Sequence, residues 1–177
     1  MLLENDKIKL RSCEPEDLPL MYEWENNTNY WLLSETVKPF SKYTLNEFIH
    51  HDHSDIASTK QQRFIIQLKK PAKPIGIIDL FLIDFTNSRA GLGILIADEA
   101  ERNKSYALQS LELLKNYSHE MLNLHQLYCH VQLSNKKGVE LFNKAGYIQT
   151  GTLKDWLQAK NKFEDVGVFQ ITLDISH

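Results

Sequence analysis

The chain has 177 residues, of which 42% are hydrophobic and 24% charged, and its formal net charge is −3. This length and composition fit one globular domain, so we expect residues 1–177 to form a single domain. A mildly acidic chain without a basic stripe is poorly suited to bind a nucleic-acid backbone. No apolar run is long enough for a membrane helix, and the first residues lack the features of a signal peptide. We therefore expect a cytoplasmic protein that binds neither nucleic acid nor membrane.

The first half of the chain predicts one strand, two helices and three further strands. Residues 7–13 alternate as a strand, and the Glu-Pro-Glu-Asp run at 14–17 is typical of a helix start. Thr44 and Glu47 have the spacing of a capping box, which predicts the start of a second helix. Period-two alternation and intervening turns predict strands over 63–68, 75–84 and 92–97.

A strand that ends near Ile96 then runs through a short polar turn into an amphipathic helix. The apolar stripe of this helix comprises Leu108, Leu111, Leu114, Tyr117, Met121 and Leu122. A helix start leaves backbone N–H groups without intrahelical partners and carries a partial positive charge. The turn at residues 102–107 therefore predicts a site for an anion such as phosphate.

The last third predicts a strand, a helix and two strands. We expect strands over 127–133, 147–153 and 166–173, with the helix between the first two. Asn135 is a good N-cap residue, and Gly146 suits the left-handed position after a helix end. The predicted order is therefore β-α-α-β-β-β-α-β-α-β-β.

Two of these segments resemble motifs of the GNAT superfamily of acyl-CoA-dependent N-acyltransferases. The run Arg-Asn-Lys-Ser-Tyr-Ala at 102–107 resembles the family's Arg/Gln-x-x-Gly-x-Gly/Ala pyrophosphate loop. Its Asn-x-x-Ala/Gly-x-x-x-Tyr/Phe-x-x-x-Gly-Phe/Tyr helix is matched by Asn135, Gly138, Phe142, Gly146 and Tyr147. Leu10-Arg11 and Asp17-Leu18 also resemble the opening of spermidine/spermine N-acetyltransferases and of ribosomal-protein N-terminal acetyltransferases.

The resemblance implies an α/β (α+β) fold and a chemistry. The implied fold is a mixed, mostly antiparallel sheet of about seven strands, with a splay between strands 4 and 5 and about four flanking helices. The implied reaction moves an acetyl group from acetyl-CoA to a primary amine, by direct attack in a ternary complex. The amine belongs to a polyamine-like small molecule or to a protein N-terminus, and exposed late strands make a homodimer plausible.

The resemblance also assigns cofactor-binding residues. Backbone N–H groups around Leu95 hold the pantetheine and polarise the thioester, and those of residues 102–107 hold the pyrophosphate. The full set is Ile94, Leu95, Ile96, Arg102, Asn103, Lys104, Ser105, Tyr106, Ala107 and Asn135.

Three positions depart from the family pattern. Ser105 and Asn103 stand where the family has glycines, and the Cβ of Ser105 predicts weakened CoA affinity. Phe142 replaces the tyrosine that is usually the general acid, although a thiolate with a pKa near 8.5 needs protonation less than an alkoxide. Tyr106, Tyr147 or water could substitute. A degenerate domain that binds CoA or a partner without turnover is the alternative reading.

Carboxylates in the first half are the candidates for the general base. An alkylamine with a pKa of about 10.4 needs a base more than a protein N-terminus does. Asp79 and Glu35 are the candidate catalytic residues, and Glu23, Glu25 and Glu35 are candidates to recognise ammonium groups. For His130 we expect a satisfied position in the core or on a sheet face.

Neither the cysteines nor the histidines predict a bound metal. Cys13 and Cys129 fall in predicted strands, so core thiols are expected and not a disulfide or zinc site. The tract 50–53 reads His-His-Asp-His and, with Asp55, could place ligands on one helical face. Such a short tract is more typical of a solvated helix end.

Overall fold

The computed structural model describes residues 2–31, 38–52, 54–159 and 161–173, without the side chains at 51 and 52. Its strands are β1 (Ile8–Arg11), β2 (Gln62–Lys69), β3 (Ala72–Asp84), β4 (Arg89–Ile96), β5 (Gln126–Gln132), β6 (Ile148–Ala159) and β7 (Lys162–Thr172). Its helices are α1 (Leu18–Glu25), α2 (Thr28–Trp31), α3 (Lys42–Asp52), α4 (Ile56–Thr59), α5 (Tyr106–Glu120) and α6 (Lys136–Lys144). The sequence analysis predicted neither of the short helices α2 and α4.

The strands form one sheet in the order β1-β2-β3-β4-β5-β7-β6. Every neighbouring pair is antiparallel except β4 and β5, which are parallel. Within the described residues, β4 and β5 pair only from Arg89 to Gly91, opposite Gln126 to Tyr128. The two strands separate beyond Gly91. The expected seven-stranded mixed sheet with its splay between strands 4 and 5 is confirmed.

Successive residues of the central strands enter two different cores, as a period-two strand requires. One core packs Ile78 and Leu92 against α5 and α6. The other packs Ile77 and Ile65 against α1 and α3. On this second face, β5 and β7 carry Tyr128, His130, Val168 and Gln170, which line an open groove.

The helix ends test the predicted caps. The Asn135 side chain accepts a hydrogen bond from the Gly138 N–H at 3.1 Å, and Gly146 has a φ of 87°, so both predictions around α6 are confirmed. The capping box predicted at Thr44 and Glu47 is wrong. Helix α3 begins at Lys42, and the Ser41 hydroxyl accepts the Thr44 N–H at 3.0 Å. Ser41 is as good a cap as Thr44 and lies three residues earlier.

Arg11 and Asp17, from the opening segment that resembles the family pattern, have a structural role. Arg11 on β1 donates hydrogen bonds of 2.7 and 2.8 Å to the two oxygens of Asp17, which precedes α1 and is buried. Burial acts to raise the pKa of Asp17, but the hydrogen bonds from Arg11 and from the Glu14 N–H outweigh it and lower the pKa. This ion pair attaches the start of α1 to the edge of the sheet.

Candidate active site

A cleft enters the sheet where β4 and β5 separate. Its volume is about 610 Å³, and its lining comes from β4, β5, α6 and the segment that leads into α5. We call it the β4–β5 cleft. Of the ten residues predicted to bind the cofactor, the cleft lining contains Ile94, Leu95, Ile96, Arg102, Asn103, Ser105, Tyr106, Ala107 and Asn135. Lys104 does not line it, and its ammonium pairs with Glu101 at 2.9 Å.

One edge of β4 offers backbone hydrogen-bonding groups to this cleft. Ile94, Leu95 and Ile96 pair with β3 through the other edge of the strand. In the described part of the sheet they have no partner on the β5 side, because the β4–β5 pairing stops at Gly91. Alternate N–H and C=O groups of a strand point to opposite edges, so the cleft edge can bond to an extended amide-bearing chain.

The segment before α5 has the geometry of an anion-binding loop. Asn103 has a φ of 61° and Ser105 a φ of 65°, so both adopt the left-handed conformation that glycine provides elsewhere. Turn residues of this kind before a helix start can aim backbone N–H groups at an anion, and the first N–H groups of α5 lack intrahelical partners. Ser105 makes no side-chain cap, and no acidic residue lies in the first turn of α5. The loop therefore fits a pyrophosphate group.

Arg102 anchors the loop to the end of β4. Its Nε donates to the Ile96 carbonyl at 3.0 Å, and its guanidinium also bonds to Glu99 and to the hydroxyl of Tyr30. Tyr30 lines the cleft and contacts the Ala97 carbonyl at 3.3 Å. Sequence reasoning did not identify Tyr30, because it lies on the short helix α2, for which no sequence signal was found.

Lys137 supplies a positive charge at the cleft. It lies in the first turn of α6, lines the cleft and is exposed. Among the described residues it forms no ion pair, whereas Lys144 at the other end of α6 pairs with Glu140 at 2.6 Å. A free ammonium beside the start of α5 adds to the suitability of the cleft for a phosphorylated ligand.

The position of the usual general acid holds a phenyl ring. Phe142 lines the cleft with only 6% of its surface exposed, and its ring packs edge-on against Tyr147 at 5.2 Å between centroids. The Tyr147 hydroxyl is buried and has no hydrogen-bond partner within the described residues. Burial raises the pKa of Tyr147, so this hydroxyl keeps its proton. Burial likewise raises the pKa of Cys129, so its thiol stays protonated although it lines the cleft.

The predicted base Asp79 lies in an ion-pair cluster. Both of its oxygens accept hydrogen bonds from Arg63, at 2.7 and 2.8 Å, and Arg63 also binds Glu25 on α1. Burial acts to lower the pKa of Arg63, but Asp79 and Glu25 raise it, so the guanidinium stays charged. Asp79 does not line the cleft. The other predicted base, Glu35, lies outside the described residues.

His130 and Gln132 are functional candidates that sequence reasoning did not assign. Both lie on β5 and line the cleft, on the face opposite to α6. His130 lies on a sheet face, one of the two expected settings, but it is exposed. Gln132 is 7% exposed, and its Nε2 has no hydrogen-bond partner in the described part of the chain. The period-two pattern of β5 was the only sequence signal for their shared face.

The histidine tract gives no metal site in the part of the chain that the structure describes. No group of three His, Cys, Asp or Glu side chains there could hold a metal ion. His53 and the side chains of residues 51 and 52 are outside that description. The described helices also include none that is long and apolar enough to cross a membrane.

A sheet that opens between two parallel strands, beside a helix start with free N–H groups, defines a transferase that uses an acyl-CoA. The family model of the acetyltransferase (GNAT) domain matches residues 7–148, and the chain belongs to this family. The chain is therefore an N-acetyltransferase, with acetyl-CoA as its cosubstrate.

Individual relatives support this membership. Spermidine N(1)-acetyltransferase of Vibrio cholerae is 28% identical over 165 residues, which cover 92% of this chain and 91% of the relative. The Escherichia coli K12 enzyme of the same name is 27% identical over 149 residues, covering 82% and 75%. A crystal structure of the Vibrio cholerae enzyme with CoA and spermine has a TM-score of 0.84 to this chain, at 27% identity over 96% of this chain and 97% of that one.

Proposed function

We propose that this chain transfers the acetyl group of acetyl-CoA to a primary amine of a polyamine such as spermidine or spermine. The observation that carries the proposal is the cleft between β4 and β5, which reaches from the middle of the sheet to the start of α5. The polyamine is supported by the relatives, since two are spermidine acetyltransferases and one structure contains spermine. The net charge of −3 also favours a cationic substrate over an anionic one.

The donor would bind along the cleft edge of β4. The N–H groups around Leu95 would hold the pantetheine and polarise the thioester carbonyl, a contribution that needs no particular side chain. The loop at Asn103 and Ser105 would hold the pyrophosphate, and Lys137 would neutralise part of the phosphate charge. Arg102 would act indirectly, since its guanidinium is already bonded to the end of β4 and to Tyr30.

The amine would attack the thioester directly while both substrates are bound. Loss of a thiolate with a pKa of about 8.5 is feasible without a strong general acid, so Phe142 slows the reaction without preventing it. Tyr106, the first residue of α5, lines the cleft and is the other tyrosine named as a substitute acid. The roles of Asp79 and Glu35 as bases stay predictions.

An assembly of several copies is part of the proposal. One structure of the Vibrio cholerae enzyme is described as dodecameric and has a TM-score of 0.79 to this chain, over 96% of this chain and 95% of that one. In this chain, Trp156 on β6 and Phe163 on β7 are more than half exposed. Such apolar side chains on the last two strands would be covered in an oligomer. Light scattering of the purified protein would give the mass of the assembly.

The test is acetyl-CoA-dependent thiol release with spermidine, spermine and an unblocked peptide as acceptors, after calorimetric titration of acetyl-CoA. We expect stoichiometric binding and faster release with the polyamines than with the peptide. Thiol release with the peptide alone would indicate that the acceptor is a protein N-terminus and not a polyamine. Binding without any release would instead support a domain that binds CoA without turnover.

A further inference from the structure

We propose that His130 is the residue that removes the proton from the acceptor amine, and that the groove beside it holds the rest of the acceptor. The proposal rests on the acetyl transfer proposed above. It adds the residue that deprotonates the acceptor amine and the side of the sheet from which the acceptor enters. The groove lies on the face of β5 and β7, with a volume of about 500 Å³. Its lining residues are Leu82, Asp84, Arg89, Gln126, Tyr128, His130, Val168 and Gln170. We call it the sheet-face groove.

His130 lies where this groove meets the β4–β5 cleft. Among the residues that the structure describes, it is the one that lines both. Tyr128 is the last residue of β5 that pairs with β4, opposite Gly91. His130 comes two residues later, about 6.6 Å further along the strand, where β4 and β5 have separated. An acceptor in the groove therefore meets a thioester in the cleft beside this imidazole.

The strand that faces His130 across the opening has no side chain there. Gly91 pairs with Tyr128, so Gly93 is the residue of β4 at the level of His130 and on the same face. Among the described residues, a Cβ placed at Gly93 would have only the Phe81 ring within 4 Å, at 3.9 Å. No side chain of β4 therefore fills the space opposite His130, and we infer that the acceptor reaches the thioester there.

The imidazole of His130 is available for proton transfer. Within the described residues it makes no hydrogen bond or ion pair, and its only ring contact is with Tyr128, at 6.1 Å between centroids. The charged groups of the groove, Asp84 and Arg89, pair with each other at 3.2 Å, while β7 contributes the uncharged Val168 and Gln170. The charged or titratable side chains of the cleft are Tyr30, Glu101, Arg102, Tyr106, Cys129, Lys137, Glu140 and Lys144. A neutral imidazole can accept a proton through its unprotonated ring nitrogen.

Gln132 supplies a second observation that points to a ligand here. It lies on the same face of β5, two residues beyond His130, and lines the cleft. Its buried amide end has an atom without a partner among the described residues, and such groups normally have one. A primary amide can donate to a carbonyl or accept from an ammonium, so Gln132 can orient either reactant beside His130.

The proposed step balances in atoms and charge. The acceptor arrives as an ammonium, and His130 takes one proton from its nitrogen and later gives it to water. The freed lone pair forms the bond to the thioester carbon, and the carbon–sulfur bond breaks with its electron pair on sulfur. The nitrogen loses a second proton, which passes through water to the thiolate. The products are the amide, CoA with a free thiol, and one proton in solution.

The experiment compares three variants in the full chain by thiol release. His130→Gln removes the base, Asp79→Asn removes the competing candidate, and His125→Gln is the matched control. His125 is an exposed histidine that lines neither the cleft nor the groove. We expect His130→Gln to lower kcat/KM for the acceptor at pH 7.5 by about a hundredfold, the lower range of general-base catalysis. Its affinity for acetyl-CoA should stay within twofold of wild type, and the control should match wild type.

The pH profile separates a base from a residue that only maintains the structure. Without its base, the variant reacts only with the unprotonated amine. Its kcat/KM should therefore rise about tenfold per pH unit toward the amine pKa of about 10.4. The kcat/KM of the wild type should rise less steeply, because His130 removes the proton from the bound ammonium. The deficit of His130→Gln should therefore shrink as the pH rises from 7.5 to 9.5.

Each outcome bears on a different part of the account. A deficit of constant size across the pH range, or activity that survives in His130→Gln and is lost in Asp79→Asn, would overturn the role of His130 and leave the acetyl transfer intact. If only a non-polyamine acceptor is turned over, the polyamine proposal fails while the same variants still test His130 with that acceptor. If wild type releases no thiol with any amine, both proposals fail.

Discussion

The two sides of the opening between β4 and β5 are built in different ways. On the proposed donor side, the groups that would bind the ligand are backbone N–H groups of Ile94–Ile96 and of the loop at 102–107, within one short stretch of chain. On the acceptor side, they are side chains from β3, β4, β5 and β7 that the sheet brings together. A ligand held by backbone groups depends little on side-chain identity, whereas a ligand held by side chains depends on each residue that contacts it.

The largest expected effect comes from the cluster that joins the sheet to the first helices. Arg63→Met leaves Asp79 and Glu25, both less than one quarter exposed, without their partner. We expect a loss of about 3 kcal/mol in the free energy of unfolding, measured by urea denaturation. Arg89→Met, which breaks the exposed pair with Asp84, should cost far less, because solvent screens that pair. Equal losses in the two variants would contradict the structural role assigned to the Arg63 cluster.

Filling the space opposite His130 should slow the reaction with the acceptor and leave acetyl-CoA binding almost unchanged. Gly93→Leu places a branched side chain opposite His130, and we expect kcat/KM for the acceptor to fall about a hundredfold, as misplaced reactants do. Acetyl-CoA binding by calorimetry should change much less. Gly93→Ala is the matched variant, since its Cβ meets nothing closer than 3.9 Å. Equal kcat/KM values for the acceptor in Gly93→Leu and Gly93→Ala would show that the acceptor does not pass between Gly93 and His130.

Restoring the missing hydroxyl should raise turnover. Phe142→Tyr adds an acid at the cleft, and we expect kcat to rise about tenfold, less than the usual gain because the thiolate is a good leaving group. Phe142→Leu controls for altered packing, because it changes the ring without adding a hydroxyl. An unchanged kcat in Phe142→Tyr would mean that the departing thiolate obtains its proton elsewhere.

The smallest expected effect concerns the phosphate loop. Ser105→Gly removes the Cβ from a left-handed residue, and we expect acetyl-CoA affinity to improve about threefold because the backbone can approach the phosphates more closely. Asn103→Gly should have a smaller effect, since asparagine adopts this conformation readily. Calorimetry on both variants measures the difference. Weaker binding by Ser105→Gly would show instead that the Ser105 hydroxyl contacts the phosphate.

The donor side could be predicted from sequence because its signals are local. A helix start after an apolar strand, the N-cap at Asn135 and the left-handed Gly146 each depend on a few neighbouring residues, and the structure places them as predicted. The splay between strands 4 and 5 came from the family resemblance. The same local reasoning erred at Thr44, where Ser41 provides an equivalent cap.

The acceptor side could not be predicted because its residues meet only in three dimensions. Asp79 stays a predicted base, chosen by residue type and strand position, and its pairing with Arg63 depends on the register between β2 and β3, which the sequence does not reveal. The exposure of His130 follows from the place where β4 and β5 stop pairing, and no single residue marks that place. Tyr30 reaches Arg102 across 72 positions of sequence.

A crystal structure of the full chain with CoA and spermine would test the account most directly, because it shows both sides of the opening at once. The account predicts the CoA sulfur in the cleft beside Gly93 and a terminal spermine nitrogen within hydrogen-bonding reach of the His130 imidazole, directly or through one water. It also predicts the remainder of spermine in the sheet-face groove. Spermine bound instead against Asp79 and Glu25, with His130 free of any contact, would contradict it.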